Sequence, residues 1–173
     1  ISLNVSRVHL NTDNFVEKVL KLVDAYSIPH HCLEFELTES IFLDDTNIAI
    51  DTMKRLRSEG FYVSIDDFGA GFSSLNLLKD MTSDVLKLDK EFFRKGDMKN
   101  EEKIIVSSIT NMAKQLKMKV LSEGVETEAQ SEFLKDISCD MAQGYLFAKP
   151  MPVEEFTELL LENNPPVCES TEV

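Results

Sequence analysis

The stretch Ser64-Ile65-Asp66-Asp67-Phe68-Gly69-Ala70-Gly71-Phe72-Ser73-Ser74-Leu75 sets two carboxylates side by side, directly behind the apolar run from Phe61 to Ile65 and directly ahead of a Gly-x-Gly. Adjacent negative charges at a strand end repel one another and resist burial unless a cation or a donor pairs with them. A positive partner is therefore expected here. Neither G-x-x-x-x-G-K-[ST] nor G-x-G-x-x-G follows, so Gly69 and Gly71 signal a turn rather than a phosphate-binding loop.

Working outward, short β-branched or apolar runs end near residues 5, 37, 65, 88, 122 and 142, with stretches of helical period between them, which makes six β-then-α units. A helix over 13–26 carries Phe15, Val16, Val19, Leu20 and Val23 on one stripe, and one over 46–59 carries Ile48, Ile50, Met53 and Leu56 and stops at Gly60. A third, over 101–116 behind an Asn100 cap, presents Ile104, Ile105, Ser108, Ile109, Met112 and Leu116. Thr127 to Gln130 has capping-box spacing, and Pro152 opens a last helix through Leu161. The domain is expected over 1–162, with 163–173 a frayed tail.

Regular βα alternation predicts a parallel sheet covered by helices. The last inward-looking polar residues of the runs are Asn4, Glu36, Asp66, Lys87, Glu123 and Gln143, so every unit contributes one. An open doubly wound sheet would gather its polar site at one switch point, whereas a (β/α)8 barrel collects groups from many strands at its C-terminal mouth. The reading is an α/β chain of the (β/α)8 type. Such barrels have eight units in about 200 to 250 residues, so this one is incomplete, with two further units expected ahead of residue 1.

Composition narrows the function. With 43% hydrophobic and 28% charged residues, 173 residues suffice for one domain with a real core. A net charge of −13 argues against DNA or RNA as partner. No apolar run approaches the roughly 18 to 20 residues of a membrane span, and the first residues do not form a signal peptide. This segment is expected to insert in no membrane and to work in the cytoplasm, any anchor belonging to another part of a parent protein. Cys32, Cys139 and Cys168 lack a C-x-x-C and read as small buried hydrophobes. His9, His30 and His31 lack H-E-x-x-H spacing and read as structural, Lys54-Arg55-Arg57 as a solvated helix face, and Phe92-Phe93 as core. Taken singly, Asp66-Asp67 fits a solvated strand end, Lys87 a snorkelling surface lysine, Glu123 a loop carboxylate and Asn4 a turn residue. Together, at consecutive strand ends, they point to a site.

Asn4 in SLNVS, Glu36-Leu37-Thr38-Glu39, Asp66-Asp67-Phe68-Gly69-Ala70-Gly71, Lys87-Leu88-Asp89, Glu123-Gly124-Val125-Glu126 and Gln143-Gly144-Tyr145 resemble the ordered motif series of EAL domains, bacterial phosphodiesterases for cyclic di-GMP with a (β/α)8-type barrel. The likeness covers about residues 1 to 160. Ala70 stands where that family usually has Thr, and the Glu-Ala-Leu motif itself belongs ahead of residue 1. The resemblance implies a two-metal Mg2+ or Mn2+ site, whose hard cations want oxygen ligands. Asn4, Glu36 and Asp66 would hold one ion together with the upstream Glu, and Asp66 would bridge to a second ion held with Asp67. That would make the adjacent aspartates tolerable. Lys87 would orient the attacking water or stabilise developing charge, Glu123 would be a metal-site or general-base carboxylate, and Gln143 would hydrogen-bond the water or metal shell. Glu39 and Glu126 would anchor the flexible loop Phe68, Gly69, Ala70, Gly71, Phe72, Ser73 and Ser74, which in related domains joins catalysis to dimerisation. A homodimer and a fused sensory or GGDEF domain are likewise implied.

Three functions follow. The first is metal-dependent hydrolysis of cyclic di-GMP to linear 5'-pGpG by the intact domain, this segment alone being inactive for want of one metal ligand. The second is a sensor that binds cyclic di-GMP without cleaving it. The third, from chemistry alone, is an enolase-like barrel using carboxylate-bound Mg2+ with Lys87 as base, which the adjacent aspartates fit less well.

Overall fold

A computed structural model describes residues 1–69, 78, 83–93 and 98–163, with 43–45 described by backbone alone. Six strands run β1 Ser2–Val5, β2 Glu34–Thr38, β3 Tyr62–Phe68, β4 Val85–Leu88, β5 Lys119–Ser122 and β6 Met141–Ala142. They form one sheet in the order β1-β2-β3-β4-β5-β6, every neighbouring pair parallel. Spatial order that follows chain order, with no reversal, means the crossovers all progress the same way around the sheet. A doubly wound sheet reverses at its switch point; this one winds as a (β/α)8 barrel does, with six of eight units present. Among the described residues no pairing joins β6 to β1.

The described helices are α1 Arg7–Leu10, α2 Phe15–Ala25, α3 Ile41–Ser58, α4 Asn100–Gln115, α5 Glu128–Asp136 and α6 Val153–Asn163. The core lies between them and the outer face of the sheet, with Leu37, Val63, Ile65, Leu86, Leu88 and Val120 from the strands meeting Phe42, Met53, Leu56 and Val106 from the helices. Near the N-terminal strand ends His30 stacks on Phe61 at 4.4 Å between centroids, and Phe35 meets Phe61 edge-on at 5.2 Å. His30 is thus structural, as its sequence setting suggests.

Several expectations need correction. Helix α3 starts at Ile41 and not near Thr46, because Ile41 and Phe42 are both buried and pack as helix residues instead of prolonging the strand. On α4 the buried residues are Val106, Thr110 and Ala113, while Ile104, Ile105 and Leu116 are exposed. The expected stripe is only partly right: Ile109 and Met112 are half-buried against the core, and small Thr110 and Ala113 beside them let the helix approach the sheet closely. Its N-cap is Lys99 rather than Asn100. Cys32 is exposed and Cys139 half-buried, so neither is the fully buried hydrophobe expected, and Cys168 lies outside the described residues. Arg55 and Arg57 are not merely solvated: Arg55 pairs with Glu17, and Arg57 grips both Asp84 oxygens with its Nε at 3.1 Å. The Thr127 capping box is present, the hydroxyl accepting from Gln130 N–H at 3.3 Å while Gln130 Oε1 accepts from Thr127 N–H at 3.0 Å.

Candidate metal centre

Because all six strands are parallel, their C-terminal ends lie at one mouth. Glu36 is on β2, Asp66 and Asp67 near the end of β3, Lys87 on β4, Glu123 one residue past β5 and Gln143 one past β6. Register fixes which side chains share the inner face. Asn4 pairs with Glu36, Glu36 with Ser64, Thr38 with Asp66, and Lys87 with Leu121, two residues before Glu123.

Period-two alternation would send Asp66 and Asp67 to opposite faces of β3. The β3–β4 register prevents this: Ile65 pairs with Leu86 but Phe68 with Leu88, so β3 holds one residue more than its partner. Asp67 adopts φ +54° within that irregularity, a left-handed conformation that Asp tolerates better than most residues. One ligand oxygen each from Asp66, Asp67 and Glu123 falls within a 4.8 Å cluster.

Lys87 provides the positive partner that the sequence demands. Its Nζ lies 2.8 Å from Glu36 Oε1, 2.9 Å from Asp66 Oδ1 and 2.8 Å from Glu123 Oε1. The Lys87 side chain is only 6% exposed. Burial pulls its pKa down, but the carboxylates of Glu123, Glu36 and Asp66 push it up by more, so Lys87 is held charged well above the ordinary lysine range. Asp67 is driven the other way, up to about 6, first by burial, then by the Asp66 charge and by a hydrogen bond with Asp89. Asp89 is itself buried and accepts from Glu91 N–H at 2.6 Å. Its partnership with Asp67 was missed in the sequence, where only its place at the end of Lys87-Leu88-Asp89 could have flagged it.

The remaining predicted residues are placed as follows. Asn4 is exposed on edge strand β1, at the register of Glu36. Glu39 is buried, and its Oε2 accepts from Gly69 N–H at 3.0 Å while its own N–H donates to Asp66 O. Gly69 has φ +97°, and a Cβ there would lie 2.4 Å from the Phe92 ring, so glycine is required at this turn. Phe68 closes β3; Ala70, Gly71, Phe72, Ser73 and Ser74 lie outside the described residues. Glu126 is exposed, its N–H donating to Gln130 Oε1 at 2.8 Å, and Gln143 is exposed past β6. The structure thus gathers Glu36, Asp66, Asp67, Lys87 and Glu123 tightly, ties Glu39 to the start of the loop, and leaves Asn4, Glu126 and Gln143 around the edge.

A divalent cation fits this donor set. The oxygens are hard, as Mg2+ and Mn2+ require, and one each from Asp66, Asp67 and Glu123 already lies close enough to the others to share an ion.

Sheet order, acidic mouth and central lysine define an incomplete (β/α)8 barrel whose C-terminal face gathers carboxylates around one ammonium. A profile for the EAL domain matches residues 1–150, and the chain belongs to that family. It is 36% identical over 155 residues to the bifunctional diguanylate cyclase/cyclic di-GMP phosphodiesterase MucR of Pseudomonas aeruginosa, covering 90% of this chain and 23% of that protein. The EAL domain of Mycobacterium smegmatis DcpA superposes with a TM-score of 0.87 at 35% identity, covering 93% of this chain and 72% of that one. The manganese and cyclic di-GMP complex of Klebsiella pneumoniae BlrP1 gives 0.80 at 28% identity, covering 86% and 38%. The chain spans 21% to 27% of the length of the first curated relatives it matches. Among the described residues no helix is long and apolar enough to cross a membrane.

Proposed function

We propose that this chain forms the catalytic mouth of a metal-dependent phosphodiesterase that opens cyclic di-GMP to linear 5'-pGpG. The observation that carries the reading is the convergence of Glu36, Asp66 and Glu123 on one buried ammonium, with Asp67 in the same cluster. The substrate is supported by the relatives, MucR being named a cyclic di-GMP phosphodiesterase and BlrP1 having been solved with manganese and cyclic di-GMP.

Asn4, Glu36 and Asp66 would hold one Mg2+ or Mn2+ ion, and Asp66 with Asp67 a second. Bound there, the pair supplies neutralisation of phosphoryl charge and a lowered water pKa. The chain's own residues do the rest. Lys87, held as an ammonium, is a donor for negative charge growing on the phosphoryl group. It is unsuited to act as a base, which weighs against the enolase-like alternative. Glu123, half-buried beside Lys87 and clustered with Asp66 and Asp67, serves as a metal-site carboxylate or as the general base that takes a proton from the attacking water. Gln143 hydrogen-bonds that water from the β6 side. Glu39 fixes the first turn of the 68–74 loop through Gly69, which couples the loop's position to β3; Glu126 shares that task. Asp89 steadies Asp67.

Turnover belongs to the complete eight-unit barrel, and the six units alone are inactive. In the parent protein the domain works in the cytoplasm as a homodimer joined to a sensory or GGDEF domain. The test is to incubate the complete barrel with Mn2+ and cyclic di-GMP and separate the products by chromatography. Linear product is expected from the wild type and at least about 100-fold less from Asp66→Ala. Cyclic dinucleotide bound tightly but left intact by the wild type would make the chain a sensor instead.

A further inference from the structure

Ser64, on the inner face of β3, is a side chain that none of these roles uses. Two residues before Asp66, it is fully buried, and its Oγ has no hydrogen-bond partner. Register sets it between Glu36 on β2 and Val85 on β4. Lys87 and Glu36 stand two strands apart, yet their charged ends meet at 2.8 Å. At about 4.8 Å per strand spacing, the two side chains together span close to 10 Å. They cross the face of β3 on which Ser64 and Asp66 stand.

That crossing demands a small residue at 64. Alanine would meet the demand without leaving a buried hydroxyl unpaired, and an unpaired hydroxyl is destabilising relative to a methyl. A serine held there at the expense of stability implies a partner in another state of the site. We propose that Ser64 is a positioning residue for Glu36: its hydroxyl, unsatisfied while Lys87 holds that carboxylate, donates to Glu36 when a divalent cation draws the side chain away from Lys87. The inference rests on the metal-site reading above, and carboxylate ligands are commonly hydrogen-bonded in this way.

The test uses Mn2+ titration calorimetry and thermal unfolding without metal on the complete barrel as wild type, Ser64→Ala and Asp66→Ala. Ser64→Ala is expected to raise the metal-free unfolding midpoint by about 2 to 4 °C and to weaken Mn2+ binding about tenfold. A serine with a purely structural role would not move the two in these opposed senses. If Asp66→Ala loses Mn2+ while Ser64→Ala keeps wild-type affinity, or if Ser64→Ala lowers the midpoint, the proposal is overturned and the metal site stands. If the wild type takes up no Mn2+, or Asp66→Ala binds it unchanged, the metal-site reading fails and the role of Ser64 falls with it.

Discussion

Asp67 shows how a single backbone irregularity decides chemistry. Without the extra residue in β3 its carboxylate would face the helices; with it, the carboxylate joins Asp66 and Glu123. The cost is electrostatic, because in the folded chain Asp67 holds its proton up to about pH 6 while in the unfolded chain it loses it near the ordinary value of 3.8. Between those values the folded state binds more protons, so stability falls as pH rises from about 4 to 6. Asp67→Asn is expected to raise the metal-free unfolding midpoint at pH 7 by about 2 to 4 °C and to flatten that slope, as followed by circular dichroism. A midpoint unchanged by the substitution would count against the buried, crowded carboxylate.

Lys87 gives the complementary case. Removing a buried cation leaves Glu36, Asp66 and Glu123 without compensation, and breaking such a site from one side costs about 3 to 5 kcal/mol. Lys87→Met is therefore expected to unfold at much lower temperature in chelator and to recover part of the loss when Mn2+ is added, since a ligand that binds only the folded state stabilises it. Differential scanning calorimetry with and without Mn2+ reads both. Equal losses in the two conditions would contradict the cation site. These residues were legible in the sequence as polar groups at strand ends. What the sequence hid was the bulge that turns Asp67 inward and the partnership of Asp67 with Asp89, because both depend on how β3 pairs with β4.

At the scale of elements, six strand positions follow from runs of apolar and β-branched residues, and their ends were readable within a few residues. Helix faces were less so. On α4 the buried line of Val106, Thr110 and Ala113 is flanked by half-buried Ile109 and Met112, and small Thr110 and Ala113 take the central place because they let the helix approach the sheet closely. The connection after β6 is set by backbone contact. Gly144 sits against Val125, where a Cβ would lie 2.1 Å from the Val125 carbonyl oxygen. The flanking bonds Val125 N–H to Gln143 O and Leu146 N–H to Val125 O, both 3.0 Å, draw the two segments together. Gly144→Ala must break that approach, and a loss of about 2 kcal/mol or more is expected in urea unfolding, in the range of serious backbone or packing clashes. A variant as stable as the wild type would show that the contact yields easily.

At the scale of the molecule, the sheet winds in one direction and so divides labour between its ends. The C-terminal mouth collects the charges, while the N-terminal end is closed by stacked rings and by Arg57 on Asp84, whose Oδ2 also accepts from Val63 N–H at 3.0 Å. Arg57→Ala is expected to lower stability by about 0.5 to 1 kcal/mol while leaving the turnover of the complete barrel unchanged; a large loss of activity would contradict this division. Barrel winding was legible only because every unit ends in a polar residue, a pattern an open sheet would not need. The paired register that brings those residues within reach of one ammonium is a property of the folded sheet.

The central claim is that these carboxylates grip divalent ions against a cyclic dinucleotide. It is tested most directly by anomalous scattering at the manganese edge from crystals of the complete barrel grown with Mn2+ and an uncleaved cyclic di-GMP analogue. Peaks in contact with Asp66, one of them shared with Asp67 and both beside a phosphate of the ligand, are the expected result. Ligand bound in the mouth with no anomalous peak at Asp66, or manganese confined to other carboxylates, would contradict it.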